Sequence, residues 1–254
     1  MSMKNSIEFK VHGRYALFTD TLTKVGGEKC SYHVPTYEAL KGIVKSIYWK
    51  PTLIWVIDEV RVMKRIRTQT KGTKPVNFGG VYPSEKSTEK KEEPFNTLAI
   101  YTFLADVEYQ VRAHFEWNLH RAALKEDQIE GKHFAIANRM VERGGRQDIF
   151  LGTRDCQGYV ESCKFGEGVG DLDDAGELAF GLMFHGFDYP DETGDSKLHA
   201  RFWRPTMNNG VIRFDRPEDC AAHRYVRDMT VKPFCTDESQ RSVTVEYAEL
   251  EGLE

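Results

Sequence analysis

No run in this chain approaches the roughly 18 consecutive apolar residues that cross a bilayer, and no N-terminal apolar stretch resembles a signal peptide. A soluble, cytoplasmic protein is therefore expected. Cysteine is scarce and unpatterned. The five (Cys30, Cys156, Cys163, Cys220 and Cys235) are odd in number and irregularly spaced, and no pair has the two-residue spacing of a zinc knuckle. That argues against a disulfide framework and against a structural metal. No cofactor is expected: Gly166-Glu-Gly-Val-Gly170 lacks the third glycine of a dinucleotide fingerprint and opens no helix. Asp171-Leu-Asp-Asp174 reads as an acidic loop rather than a cation site, and no Ser-His-Asp constellation or nucleophile elbow can be read.

What the chain does have is an asymmetry of charge. Its 254 residues, enough to bury a real core, carry a net charge of only −4. Residues 1–150 hold 24 Lys and Arg against 18 Asp and Glu, whereas residues 151–254 hold 11 against 21. A basic half beside an acidic half suggests a polyanion on one side and protein partners on the other. The densest basic run is Arg61, Lys64, Arg65, Arg67, Lys71 and Lys74, with no acidic residue between its ends. Such runs are commonly solvated faces. Here the missing carboxylates point equally to phosphate contact.

Periodicity gives the organisation. Ile7, Phe9 and Val11 alternate as in a strand. A helix follows over about 36–49, with Thr36 as N-cap, Glu38 in the first turn, and Tyr37, Leu40, Ile43, Val44 and Ile47 on its apolar face; Pro51 stops it. Residues 53–57 and 60–63 read as a strand or a bent pair. Segment 77–96, nearly free of apolar side chains, reads as a mobile charged loop. Residues 97–104 and 107–117 read as a hairpin, its second arm with Tyr109, Val111, Ala113, Phe115 and Trp117 on a covered face and Gln110, Arg112, His114 and Glu116 on an open one. A second helix is expected over about 132–143, with Phe134, Ala137 and Val141 inward and Gly144-Gly145 as its stop. Short strands at 148–151 and 159–164 complete a strand, helix, strand, strand, helix, strand order. The class is α+β, a ferredoxin-like or RNA-recognition-motif fold over 1–165. Strands alone follow, near 178–187, 198–203 and 211–214, predicting an appended small antiparallel β-sheet over 166–235 before an acidic tail at 236–254. Asn208-Asn-Gly210 is a turn signal, although its gap is long for a two-residue hairpin.

Chemistry concentrates at two places. Lys132-His133 sits where the loop 125–131 enters the second helix, and a helix start attracts phosphate. Lysine supplies a point charge there, and histidine exchanges protons near neutral pH. Tyr48 lies at the border of the apolar face and a basic flank, where its ring can pack while its hydroxyl meets something negative. Trp49 is expected in the core, with base stacking as the alternative. His114 and His120, near Trp117 and Arg121, fit either RNA contact or an ordinary polar face. Gly144-Gly-Arg146 fits either close approach to an RNA backbone or a helix cap followed by a surface arginine.

Long stretches resemble the CRISPR-associated family-five proteins of subtype d, found in type I-C systems. They run from Tyr15-Ala-Leu-Phe-Thr-Asp20 through Ser46-Ile-Tyr-Trp-Lys-Pro51, then His114-Phe-Glu-Trp-Asn-Leu-His-Arg121, Glu130-Gly-Lys-His133 and Gly144-Gly-Arg-Gln-Asp-Ile-Phe-Leu-Gly152. His185-Gly-Phe-Asp-Tyr-Pro-Asp-Glu-Thr-Gly194 and Arg216-Pro-Glu-Asp-Cys220 continue it. The resemblance implies an endoribonuclease that cuts precursor CRISPR RNA beside its repeat hairpin and stays bound to the 5′ handle of the guide RNA in a surveillance complex. It implies Tyr48, Lys132 and His133 as the processing site and makes RNA contact by Arg146 credible; Arg61, Lys64, Arg65, Arg67 and Lys71 are the RNA contacts expected from the basic run itself. The partners expected are the precursor repeat hairpin, the mature guide RNA, the other complex subunits and, weakly, DNA. One assignment makes His133 the base, Lys132 the charge stabiliser and Tyr48 the group orienting the scissile phosphate; the sequence does not fix which is acid and which is base. A non-catalytic subunit that clamps the guide-RNA handle is the alternative, and a metal-dependent DNase is a weaker third reading.

Overall fold

A computed structural model of the chain describes residues 5–21, 23, 28–74 and 98–231. The charged segment 77–96 and the acidic tail 236–254 lie outside the described residues. The chain opens with β1 (Ser6–Ala16), the very short β2 (Lys29–Cys30) and α1 (Tyr37–Ile47). In β1, Ile7, Phe9 and Val11 are buried on one face, as alternation predicts. Helix α1 begins where its chemistry says it should, with the Thr36 side chain accepting from the Ala39 N–H at 3.2 Å. Leu40 and Ile47 are fully buried on its inner face, so truncating either to alanine costs about 2–5 kcal/mol.

Next come β3 (Leu53–Val62), β4 (Thr68–Thr73) and β5 (Ala99–Trp117). The expected hairpin within 97–117 does not exist. Instead β5 is one 19-residue strand. Asp106 turns to a left-handed backbone (φ 55°) inside it, a conformation Asp tolerates better than most residues, and β1 pairs along β5 on both sides of that point. The second expectation to fall is the open face. Gln110 and His114 are buried: the chain at 165–168 crosses over Gln110, which donates to the Glu167 carbonyl at 2.7 Å and accepts from the Gly166 N–H at 2.9 Å, and His114 bonds Asp58.

After β5 the chain makes a 3-10 turn (Ala122–Asp127) and then α2 (Glu130–Glu142), β6 (Ile149–Phe150) and β7 (Gln157–Ser162). His133, Ala137 and Val141 form the inner face of α2, with Phe134 partly buried beside them. Across the sheet the long strands run β7, β1, β5, β3, each antiparallel to its neighbour. Helix α1 connects β1 to β3, and α2 connects β5 to β7.

The remaining strands are β8 (Glu177–Ala179), β9 (Met183–Asp188), β10 (Lys197–Trp203), β11 (Thr206–Asn208), β12 (Val211–Arg213) and β13 (Ala222–Asp228), with a single turn of helix, α3 (Pro190–Thr193), after β9. They do not form one appended sheet. Strands β12, β11 and β8 extend the main sheet beyond β3, while β13, β10 and β9 make a separate three-stranded sheet. The reason is the turn at Asn209-Gly210, both residues at positive φ (47° and 78°). It is a two-residue hairpin after all, because β11 begins only three residues past Trp203. The architecture is therefore α+β, with mostly antiparallel pairing and a second small sheet. No helix of the described residues is long and apolar enough to cross a membrane.

Candidate active site

Tyr48 is the residue at which α1 stops. Its backbone is already extended (φ −156°, ψ 127°), yet its N–H still donates to the Val44 carbonyl at 2.9 Å. The Trp55 indole N–H donates to the Tyr48 carbonyl at 2.7 Å from the neighbouring strand. Helix end and sheet thus clamp the residue from two sides and turn its ring inward, leaving it 2% exposed. Burial pushes its phenol pKa up, and the nearby Asp127 carboxylate adds to this; the Arg146 guanidinium opposes it.

His133 lies one turn into α2 and is fully buried. Its ring packs edge-on to Trp117 and Phe115, with centroids 5.7 and 6.3 Å away. Its Nδ1 is 2.8 Å from the Tyr48 hydroxyl, and its Nε2 is 2.7 Å from the Asp127 carbonyl oxygen. A carbonyl can only accept, so Nε2 carries the proton of the neutral ring. Nδ1 is then the acceptor, and the Tyr48 hydroxyl donates to it. One assignment from the sequence makes His133 the base, with acid and base left open. The structure places the Tyr48 hydroxyl on one ring nitrogen and the Asp127 carbonyl on the other.

Lys132 is the member that meets solvent, its side chain 46% exposed. It donates to the carboxylate of Asp127, whose other oxygen accepts from the Thr52 hydroxyl at 2.8 Å. Bonding to Lys132 is the main reason the Asp127 carboxyl pKa falls below its ordinary value. Asp127 is the residue the sequence reading missed. It joins all three expected residues: its carboxylate holds Lys132, its carbonyl holds His133, and its charge acts on Tyr48. The available signal was an acidic residue closing the turn before Lys132-His133, but a backbone carbonyl's role leaves no trace in side-chain identity.

Arg146 is exposed beyond the Gly144-Gly145 stop of α2, where both glycines have positive φ (81° and 109°). The Arg146 and Gln147 N–H groups donate to the Ser46 carbonyl at 3.2 and 3.0 Å, tying this loop to the last turn of α1 beside Tyr48. Trp49 is not in the core; it is 40% exposed.

The basic run fares differently along its length. Arg61 is buried, with its guanidinium on both Asp173 oxygens and on the Glu167 and Gly168 carbonyls. Its charge is spent inside the protein. Lys64 and Arg67 both bond Asp106, at 2.8 and 3.0 Å. Lys71 stands 3.3 Å from the Tyr15 ring centroid, a cation–π contact. The carboxylates missing from the run are supplied from elsewhere in the chain, which a linear count does not see. Arg65 is exposed, and so is the Arg67 side chain, at 61%. His114 is bound by Asp58 at 2.8 Å, so it is an internal partner rather than a free surface group. The structure describes His120 as exposed. Among the described residues no group of three or more His, Cys, Asp or Glu could hold a metal ion.

An α+β sheet protein with a Tyr-His-Lys-Asp cluster where two helix ends meet defines a class, and the comparisons supply the family. The Cas5d model, described as CRISPR-associated protein (Cas_Cas5), matches residues 6–215, and the chain belongs to that family. A protein of Mannheimia succiniciproducens named CRISPR pre-crRNA endoribonuclease Cas5d is 29% identical over 227 residues, covering 83% of this chain and 95% of that one. A protein of the same name from Thermus thermophilus is 29% identical over 207 residues, covering 78% and 80%. A crystal structure described as that of a CRISPR-associated protein superposes with a TM-score of 0.68 at 32% identity, covering 86% of this chain and 96% of the other.

Proposed function

We propose that this protein is an endoribonuclease that cuts precursor CRISPR RNA beside its repeat hairpin without a metal ion and then stays bound to the product. The observation that carries the reading is the linkage of Tyr48, His133 and Lys132 through Asp127. In the reaction, the RNA 2′-hydroxyl loses its proton and attacks the adjacent phosphorus. The bond to the 5′ oxygen breaks, and that oxygen takes up a proton, leaving a 2′,3′-cyclic phosphate and a 5′-hydroxyl. The tautomer of His133 suggests how the first proton moves. The Tyr48 oxygen accepts it from the 2′-hydroxyl while passing its own proton to Nδ1, so that no free phenolate is needed in a site that disfavours one. Lys132, at the surface, is suited to the negative charge that grows on the phosphorane.

The decisive test is incubation with the cognate repeat RNA in EDTA, followed by analysis of product ends. Cleavage with a 2′,3′-cyclic phosphate is expected. RNA with a 2′-deoxy sugar at the cut should bind normally and resist cleavage; cutting at the usual rate would refute attack by the 2′-hydroxyl.

A second reading, a non-catalytic subunit that clamps the guide-RNA handle, draws support from the burial of Tyr48 and His133. Intact RNA after prolonged incubation of folded, RNA-bound protein would favour it. Under either reading we propose that the acidic second half faces other subunits of a type I-C surveillance complex. We also propose that the β1–α1–β3–β5–α2–β7 unit is a ferredoxin-like core. Its support is the antiparallel order with β1 and β5 at the centre.

A further inference from the structure

The last turn of α1 and the loop after α2 enclose a cleft of about 450 Å³ beside the candidate active site, within the size range of ligand pockets. Its lining residues include Lys45, Lys50 and Arg146 but no acidic side chain. In a chain with 39 Asp and Glu, that composition selects for an anion. Trp49 forms one wall, exposed and adjacent in sequence to Tyr48. Among the described residues no ring or cation covers the Trp49 indole, and no carboxylate pairs with Arg146 or Lys50. By contrast Lys45 is partly engaged, bonding Glu192 at 3.0 Å. An uncovered indole surrounded by free cations is unfavourable in isolation, since it leaves apolar surface in water and like charges near one another.

The cleft is also rigidly aligned with the chemistry. The N–H groups of Arg146 and Gln147 both hold the Ser46 carbonyl, two residues before Tyr48. The Arg146 charge is close enough to act on the Tyr48 phenol. A ligand phosphate on Arg146 therefore lies on the loop that is tied to the end of α1, where Tyr48 sits. On the far side of Arg146 and Gln147 a second cavity of about 670 Å³ continues past Gly144 and Gly145 to the exposed Tyr159, giving the chain of a ligand a way out.

We infer that this cleft binds one unpaired RNA nucleotide flanking the scissile phosphate, its base stacked on the Trp49 indole and its phosphate held by Arg146 and Lys50. The inference rests on the endoribonuclease reading for the position of the cut, and goes beyond it in assigning a subsite and its ligand. Stacking suits the site because every base has a π-face, so the subsite reads the presence of an unpaired base more than its identity.

The test uses the full chain and uncleavable repeat RNA carrying a 2′-deoxy sugar at the cut, with 2-aminopurine placed in turn at each unpaired position. One position should be quenched on binding. Trp49→Ala should abolish that quench and weaken binding roughly five- to a hundredfold, the scale of one stacked base, while Trp49→Phe should keep most of both. An abasic sugar at the same position should weaken wild-type binding and leave Trp49→Ala unaffected. Arg146→Gln should weaken binding wherever the fluorophore sits. Thermal melts check that each variant is folded. Equal quenching in wild type and Trp49→Ala, or an abasic effect that persists in Trp49→Ala, overturns the assignment. Because the readout is binding to RNA that cannot be cut, the two readings fail separately. A coupled Trp49 with no cleavage of the ribose substrate sinks the enzyme, and normal cleavage without coupling sinks the subsite.

Discussion

Two clusters in this molecule are built from nearly the same side chains. One joins Tyr48, His133, Lys132 and Asp127 at the end of α1. The other joins Tyr37, His185, Lys41 and Glu192 at the start and outer face of the same helix, where the small sheet docks. In the second, His185 stacks on Tyr37 with centroids 4.2 Å apart and gives its Nε2 to the Asp215 carbonyl at 3.0 Å. Burial, with the Arg201 charge, pushes the His185 pKa down to about 3. Lys41 is 2% exposed and bonds Glu192, which Lys45 also holds. Burial alone would raise the Glu192 pKa; the two ammonium groups outweigh it and lower it. Residue types therefore do not distinguish a candidate reactive site from a structural joint. The two clusters differ in the access of the lysine. Lys132 reaches solvent, whereas Lys41 is sealed against Glu192 of α3.

The largest expected effect separates these lysines. Lys132→Ala should lower the single-turnover cleavage rate by about a hundredfold, the scale of losing a charge stabiliser, with little change in melting temperature. Lys41→Ala should do the reverse, costing about 3–5 kcal/mol of stability for a broken buried pair while the rate per folded molecule holds. Equal rate losses in the two would erase the distinction. Asp127→Asn sharpens it further. The substitution keeps the backbone carbonyl on His133 and removes the charge that holds Lys132 and acts on Tyr48, so kcat should fall about tenfold, the scale of one charge-assisted hydrogen bond. Rescue by Asp127→Glu would identify the carboxylate as the positioning group, and an unchanged kcat in Asp127→Asn would remove it from the site.

The basic run offers a third comparison, between its buried and exposed ends. Alanine at Arg65, Arg67 and Lys71 together should flatten the salt dependence of RNA binding by about two units of slope. Arg67 still qualifies despite Asp106, since an exposed ion pair is worth only ~0–1 kcal/mol. Arg61→Ala should instead cost stability and leave the slope unchanged. The smallest effect concerns His114, whose pKa is raised first by its bond to Asp58, against the pull of burial. A raised folded-state value means the stabilisation is fully present below about pH 6.5 and is lost as pH climbs through the folded value. Urea melts across that window should show the decline, and Asp58→Asn should flatten it.

Local signals were legible in the sequence and distant ones were not. The Thr36 cap, the apolar face of α1 and the alternation of β1 are properties of neighbouring residues. The continuity of β5 is not. Ala105-Asp106 looks like a turn in isolation, and only pairing with β1 on both sides of it makes a single strand. The burial of Arg61 likewise depends on Asp173, more than a hundred residues away. At the site, Tyr48, Lys132 and His133 were singled out by their local chemistry, and resemblance joined them into one site. Their order in depth, lysine outermost and histidine innermost, came from packing alone.

The junction of β12 with β3, where Ile212 lies opposite Val60, sets a timetable for biogenesis. During synthesis about 150 residues must follow β3 before its partner appears, which takes on the order of ten seconds at ~5–20 residues per second. Throughout that interval the outer edge of β3 has no strand beside it. An unpaired edge is a template for pairing with another chain, so the hairpin at Asn209-Gly210, which brings β12 to β3, covers that edge late as well as extending the sheet.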